Sequence, residues 1–157
     1  MAQAARRIPE GHNTVSPYLI VDGAGRALDF YKRAFGATEL FRLEAPGGKI
    51  GHAEIRIGDT VIMMADEHPD HHAYSPRHYK GSPVSLHVYV ENVDAVAQQA
   101  IAAGANVTRP VQDMFYGDRS GTFEDPFGHT WHVATHVEDL TTEEIGRRAA
   151  AQMGATG

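Results

Sequence analysis

The apolar positions in the first half of the chain alternate or recur at helical spacing in a fixed order. Residues 15–21 alternate imperfectly and predict a mostly buried strand. Helical spacing follows, and Gly36 ends it because glycine tolerates the left-handed conformation of a helix end. Gly58 and Asp59 separate two later apolar stretches and are typical of a two-residue hairpin turn. The predicted elements are strands at 15–21, 38–43, 50–57 and 60–65 and a helix at 24–35.

The second half of the chain repeats this order. The apolar stretch at 84–90 follows 15–21 at an offset of 69 positions, and Gly104 follows Gly36 at an offset of 68. The repeat predicts an α+β fold in which two tandem βαβββ modules build one mixed sheet. The predicted elements are strands at 84–90, 106–110, 122–124 and 130–135, a helix at 93–103, and a C-terminal helix from the capping box Thr141–Glu144 to about Gln152.

These elements divide the chain into a single expected domain at 14–136 and its flanking segments. The expected segments are an N-terminal arm at 1–13, a first module at 14–66, a linker at 67–83, a second module at 84–136 and a helical tail at 137–157. The linker contains several histidines, from His68 to His78, without a fixed ligand spacing. A solvated loop is therefore favoured there over a metal-binding tract.

The composition limits the classes of partner. The chain has no cysteine, which excludes disulfides and thiolate chemistry. Its 14 basic residues are scattered and face 20 acidic ones, so the formal net charge is −6 and no nucleic-acid footprint is expected. No apolar run suits a membrane span, and the start lacks the apolar core of a signal peptide. We expect a cytoplasmic protein with a small-molecule ligand, no nucleic-acid or membrane partner, and a homodimeric state that covers its sheet edges.

Short motifs accompany the repeat. Asp29-Phe-Tyr-Lys-Arg-Ala-Phe-Gly36 lies on the first helix, and Glu124-Asp-Pro-Phe-Gly128 precedes the last strand. Together with the repeat, they resemble the glyoxalase/bleomycin resistance protein/extradiol dioxygenase superfamily, also called the vicinal oxygen chelate superfamily. His52-Ala-Glu54, Phe115-Tyr-Gly-Asp-Arg119 and Ala134-Thr-His136 are similar to its PhnB-like branch. The resemblance covers most of the chain and implies a curved mixed sheet around a cavity.

The resemblance also implies metal ligands on the first and last strand of each module. The four corresponding positions are Ser16, Met63, Ser85 and His132. Only His132 is a good ligand for a divalent metal, since a thioether is soft and a neutral serine binds weakly. The cofactor therefore stays unknown. A displaced divalent-metal site would use His52, Glu54 and His132.

Strand alternation extends this set to a cavity lining. In the first hairpin, Ile57 is expected to pair with Thr60, which places Glu54 opposite Met63. The expected lining is Ser16, Tyr18, His52, Glu54, Met63, Ser85, His87, Arg119 and His132.

The second hairpin decides the surroundings of His132. A four-residue loop would place Gly121 opposite His132 and leave open space beside the imidazole, with Arg119 nearby on that face. Arg119 could then clamp a carboxylate or phosphate of a substrate, because its fork geometry suits such groups. A loop salt bridge between Asp118 and Arg119 is the alternative.

Glu54, His52 and His132 are the candidate catalytic residues, because buried ionisable groups are costly unless they are paired or used. One hypothesis is an enzyme-like small-molecule site in the sheet cavity, in which Glu54 or a histidine acts as general base in metal-assisted lyase, isomerase or dioxygenase chemistry. The other is a non-catalytic protein of the bleomycin-resistance type that binds and sequesters a drug or metabolite. The sequence leaves both open.

Overall fold

The structure is a computed structural model that describes residues 4–155. The chain divides into two compact units between Ser82 and Pro83. The first unit contains strands β1 (Tyr18–Val21), β2 (Thr38–Ala45), β3 (Lys49–Ile57) and β4 (Thr60–Asp66) with helices α1 (Ala24–Phe35) and α2 (Pro76–Tyr79). The second contains strands β5 (Ser85–Tyr89), β6 (Asn106–Asp113), β7 (Asp118–Glu124) and β8 (Thr130–His136) with helices α3 (Val93–Ala103) and α4 (Thr142–Ala155).

The predicted fold class is confirmed, with two tandem βαβββ modules and a C-terminal helix. The described strands form two four-stranded sheets, one in each module, whereas the repeat predicted one sheet built by both. Each unit is a βαβββ module with a four-stranded mixed sheet, in the order β1-β4-β3-β2 in the first and β5-β8-β7-β6 in the second. The first and last strands of each module run parallel, and the other neighbours are antiparallel. The C-terminal helix begins as predicted, because the backbone N–H of Glu144 donates to the Thr141 hydroxyl at 3.1 Å. Within the described residues, no helix has the length and apolar character needed to cross a membrane.

Helix α1 forms the core of the first module by packing on its sheet. Its apolar face buries Leu28, Phe30 and Tyr31. Gly36 ends the helix at φ 67°, the left-handed conformation that the sequence predicts. The helix begins at the Asp66 carboxylate, which accepts hydrogen bonds from the backbone N–H groups of Gly23 and Ala24 at 2.9 and 2.8 Å. This carboxylate neutralises the positive end of the helix and ties it to the end of β4.

The first hairpin has the predicted register. Ile57 pairs with Thr60 and Glu54 lies opposite Met63. A two-residue turn leaves no choice of pairing, so the glycine at its first position sets the register of the whole hairpin.

The predicted register of the second hairpin is wrong by one residue. Glu124 pairs with Thr130, so the loop has five residues and Thr122, not Gly121, lies opposite His132. The Asp125 carboxylate explains the longer loop, because it accepts from the backbone N–H groups of Phe127 and His129 and from the indole N–H of Trp131.

Gly121, which was expected to leave open space beside His132, has a different role. A Cβ at position 121 would stand 2.9 Å from Cγ2 of Val111 and 3.3 Å from the carbonyl oxygen of Arg109. Gly121 therefore permits the close approach of β6 to β7.

Two other sequence expectations change. Strand β6 begins at Asn106, as predicted, and continues to Asp113, whereas β7 begins at Asp118, four residues before the predicted 122–124. The linker also contains a 3₁₀ turn at Pro69–His71 and the short helix α2.

Candidate functional site

Each sheet carries one row of side chains on the face opposite to its packed helix. The first-module row is, in order across the sheet, Tyr18, Met63, Glu54 and Phe41. The second-module row is, in the same strand order, His87, His132, Thr122 and Arg109. The two rows occupy equivalent positions of the repeat.

A chain of hydrogen bonds extends from the first-module row. The Glu54 carboxylate accepts from Nε2–H of His52 at 2.9 Å. Because a carboxylate has no proton to donate, a neutral His52 carries its proton on Nε2 and accepts at Nδ1. The Tyr18 hydroxyl donates to that nitrogen at 2.9 Å. A phenol, an imidazole and a carboxylate are thus linked in series, in the order in which a proton could pass.

This series of hydrogen bonds is partly shielded from solvent. The side chains of His52 and Glu54 are 24% and 17% exposed, whereas Tyr18 is 49% exposed and forms the solvent end. Burial raises the pKa of Tyr18, and the negative charge of Glu54 adds to the rise. Tyr18 is therefore a neutral phenol that donates its proton at neutral pH.

His12 belongs to the same cluster, although the sequence predicts only a polar arm there. Its Nε2 lies 3.1 Å from Oε1 of Glu54, so each carboxylate oxygen has one imidazole partner. No periodicity marks residues 4–14, and 42 positions separate the two residues in the chain. The only sequence signal was a histidine in a segment otherwise expected to be loose.

His132 has a different environment from His52. Both of its ring nitrogens contact neutral hydroxyls, Nδ1 at 2.9 Å from Thr122 and Nε2 at 3.1 Å from Ser85. Burial lowers the pKa of His132, and its electrostatic interactions with His87 and Arg109 lower it further. His132 is therefore a neutral imidazole at neutral pH. His87 lies in the same row, with 6.1 Å between the two ring centroids.

The predicted role of Arg119 as a lining residue is wrong. Because the register of the hairpin is shifted, Arg119 pairs with Thr135 and points to the face that α3 covers. It bonds Asp94 of α3 through Nε at 2.9 Å and Asp113 through Nη1 at 3.2 Å. Neither a loop salt bridge with Asp118 nor a cavity clamp is observed.

Asp118 instead lies on the face of the second-module row and is 3% exposed. It accepts from the Tyr89 hydroxyl and from the His136 ring, each at 2.8 Å. The second ring nitrogen of His136 contacts Asp139 at 2.7 Å. Its hydrogen bonds to these two carboxylates, Asp118 first, raise the pKa of His136.

The four family metal positions do not supply a ligand set in this chain. Met63 offers a soft thioether, and Ser16 precedes β1 as a half-buried neutral serine. His132 directs both nitrogens to hydroxyls, one of them the third position, Ser85. Among residues 4–155, no three His, Asp or Glu side chains are grouped so that they could hold a metal ion. These residues do not fit the divalent metal that the superfamily positions would usually hold.

A family model described as Glyoxalase/Bleomycin resistance protein/Dioxygenase superfamily matches residues 12–133. The chain belongs to this superfamily. The match spans both modules and both rows, so the superfamily fold accounts for the repeat that the sequence shows.

Similar proteins agree with this assignment. An uncharacterized protein of Mycobacterium bovis is 40% identical over 141 residues, which cover 88% of this chain and 93% of that protein. The crystal structure of TioX from Micromonospora sp. ML1 is similar with a TM-score of 0.62 and 28% identity, covering 82% of this chain and 100% of TioX. The PhnB protein from Bacillus cereus shares the fold, with a TM-score of 0.60 and 18% identity over 78% of this chain and 99% of that one. The predicted likeness to the PhnB-like branch is therefore confirmed at the level of the fold.

The structure brings together two of the three predicted catalytic residues, His52 and Glu54, with Tyr18 and Met63 beside them. It brings His132 together with Ser85 and His87. That His52, Glu54 and His132 line one cavity stays a prediction.

Proposed function

We propose that the first-module row, together with His52, forms an enzyme-like small-molecule site in which Tyr18, His52 and Glu54 move a proton. The observation that carries this proposal is the series of hydrogen bonds from Tyr18 through His52 to Glu54, each 2.9 Å long. The positions of the three groups suit general acid–base chemistry, which needs a donor and a base within hydrogen-bond reach.

The step assigns one role to each residue. The Tyr18 oxygen takes a proton from a substrate C–H or O–H as its own proton passes to Nδ1 of His52. Glu54 stabilises the resulting imidazolium through Nε2–H, as a carboxylate does in other imidazole-centred triads. Return of the proton to a neighbouring substrate atom completes an isomerisation. His132 is proposed as a further residue of this chemistry only on the strength of its superfamily position.

Proton exchange tests this proposal without knowledge of the natural substrate. Small α-hydroxycarbonyl compounds, such as dihydroxyacetone, are incubated with the protein in D₂O, and the loss of the α-proton signal is followed by NMR. We expect protein-dependent exchange that falls by about 10²–10⁴-fold in Tyr18→Phe and in Glu54→Gln. Tyr89→Phe is the matched control, because Tyr89 is a tyrosine of the other module that bonds a carboxylate directly. Exchange that survives Tyr18→Phe would contradict the proposal.

A specific observation favours binding without turnover as the second candidate. The rings of Tyr18 and Phe41 lie 5.5 and 6.1 Å from the ring of His52, and both are 49% exposed. Two half-exposed aromatic rings around an imidazole beside a carboxylate suit a planar, cationic ligand.

Calorimetric titration with bleomycin, a cationic drug that carries a planar bithiazole group, distinguishes the two candidates. If the site sequesters such ligands, Glu54→Gln should weaken binding by about 1–3 kcal/mol with the fold intact. Phe41→Ala should also weaken binding, whereas Leu40→Ala is the control, because the neighbouring exposed Leu40 lies in the register shift of the same strand and is paired with neither His52 nor Glu54. Binding without any proton exchange favours sequestration, and a loss of thermal stability in Glu54→Gln without loss of binding assigns Glu54 a structural role.

The expected homodimer is retained as a proposal. Strand β2 lies at the edge of the first-module sheet and exposes Leu40, Phe41 and Leu43 by 40 to 56%. An exposed apolar edge favours pairing with a second copy. Light scattering on wild type and on Leu43→Lys tests it, with a dimer that weakens in the variant as the expected result.

A further inference from the structure

Arg109 stands out among the arginines of the second module because, among residues 4–155, its charge has no carboxylate partner. Nη1 donates to the carbonyl oxygen of Ser120 at 2.9 Å and to Sδ of Met114 at 3.4 Å, and Nη2 donates to Oγ of Ser120 at 2.8 Å. All three acceptors are neutral. Arg119 and Arg148, in contrast, each bond two carboxylates.

The guanidinium is nevertheless held in a defined place. Arg109 is half-buried at the β6 end of the second-module row, and Thr122 lies between it and His132. Its contacts with Ser120 direct it along β7 away from Glu124, the exposed carboxylate on the same face. The other carboxylate of this face, Asp118, already accepts from Tyr89 and His136. A positioned cation is left with Nε–H and one Nη2–H beyond these contacts.

The groups next to Arg109 in the row are neutral hydrogen-bond donors, and none of them is a carboxylate that would compete with a bound anion. The hydroxyls of Thr122 and Ser85 rotate freely between donating and accepting, and each contacts one nitrogen of His132. His132 can offer an N–H to a ligand in place of either hydroxyl. Arginine beside hydroxyl and imidazole donors matches the geometry of a planar carboxylate or a phosphate.

We infer that the second-module row is a binding site for a small oxyanion, a carboxylate or a phosphate, held by Arg109 with Thr122 and His132 as neutral donors. The site lies within the second module and uses none of the three residues, Tyr18, His52 and Glu54, that form the proton-transfer series. It supplies the cation that the sequence assigned to Arg119, from a strand that the sequence did not single out.

Titration with inorganic phosphate, and separately with acetate, tests the inference and distinguishes the two ligand classes. Histidine ¹⁵N and backbone amide signals are followed at constant ionic strength, with NaCl as the balancing salt. We expect saturable shifts at His132, Ser120 and Thr122, with a dissociation constant of about 1–10 mM for the preferred anion. Arg109→Gln should weaken binding about tenfold or more. Arg119→Gln is the matched control and should bind as wild type does.

A second measurement needs no variant and covers the case in which Arg109→Gln does not fold. An anion bound beside His132 stabilises its imidazolium, so the preferred anion should raise the pKa of His132 in wild type in a saturable way. Shifts that never saturate, a pKa of His132 that does not respond, or equal binding by Arg109→Gln would overturn the inference. The titration measures binding without turnover, so its failure is distinguishable from absent proton exchange at Tyr18.

Discussion

The two modules share one strand order but carry different chemistry at equivalent positions of their rows. Where the first module has Glu54 beside Met63, the second has Thr122 beside His132. Where the first ends at Phe41 on its outer strand, the second ends at Arg109. The imidazole of the first module therefore has a carboxylate partner, whereas that of the second has hydroxyl partners and a cation nearby.

This difference shows that the repeated backbone determines the direction of the side chains in a row. The residue type at each position determines the charge of that row. The first-module row suits proton transfer or a cationic ligand, because its charge is a shielded carboxylate. The second-module row suits an anion, because its charge is an arginine without a carboxylate.

The largest effect is expected from the loop that sets the second register. Asp125→Ala removes the acceptor of two backbone N–H groups and of the Trp131 indole, all buried. We expect a loss of about 3 kcal/mol in the free energy of unfolding, measured by urea denaturation. Asp59→Ala is the control in the other hairpin, because within the described part of the chain the exposed Asp59 accepts only from the Thr60 hydroxyl, at 3.2 Å. Equal losses in the two variants would contradict the role given to Asp125.

A smaller effect is expected at the contact between Thr122 and His132. Thr122→Val keeps the shape of a buried side chain but leaves Nδ1 of His132 without its hydroxyl, which should cost about 1 kcal/mol. Thr60→Val, which removes an exposed hydroxyl in the first module, should cost less. Denaturation of the two variants under the same conditions checks the order.

Transfer of the carboxylate from one row to the other sharpens the comparison. Thr122→Glu places at the second-module row the residue that the first has at its equivalent position, Glu54. An adjacent carboxylate favours the imidazolium, so the pKa of His132, lowered in wild type, should rise. Glu124→Gln, on the same strand, is the control and should leave it low. An NMR titration of the histidine ring protons measures both.

The smallest effect is expected in the pH dependence of stability that His136 contributes. Its pKa is raised from the ordinary value of 6.5 by Asp118 and Asp139, the carboxylates that face it, with Tyr89 bonded to the first of them. A raised pKa in the folded state means that this contribution is complete below pH 6.5 and is lost as the pH rises through the folded-state value. The melting temperature of wild type relative to His136→Gln should therefore fall as the pH is raised from 6 to 8. A constant difference across this range would show that the imidazolium contributes nothing.

Sequence pattern alone predicted the elements whose limits are set by local rules. The helix at 24–35 ends at Gly36 because that residue takes the left-handed conformation, and the first hairpin follows from its two-residue turn. Both signals lie in adjacent residues, so no distant contact can change them.

The misassigned parts depend on contacts that no periodic pattern shows. The loop from Asp125 closes through its own side-chain hydrogen bonds, which add one residue and exchange the faces of Gly121 and Thr122. One shifted residue was enough to put Arg119 on the wrong face. His12 was missed because it reaches Glu54 from a segment without regular structure.

The central claim is that Glu54 organises the imidazoles of the first module alone, while Thr122 organises His132. Long-range ¹H–¹⁵N spectra of the histidine side chains test it most directly, in wild type, Glu54→Leu and Thr122→Val. The account predicts an Nε2–H tautomer for His52. Glu54→Leu should shift Nε2 of His52 and His12 and leave His132 unchanged, whereas Thr122→Val should shift Nδ1 of His132 and leave the other two unchanged. An Nδ1–H tautomer for His52, or signals of His52 and His12 that do not respond to Glu54→Leu, would contradict it.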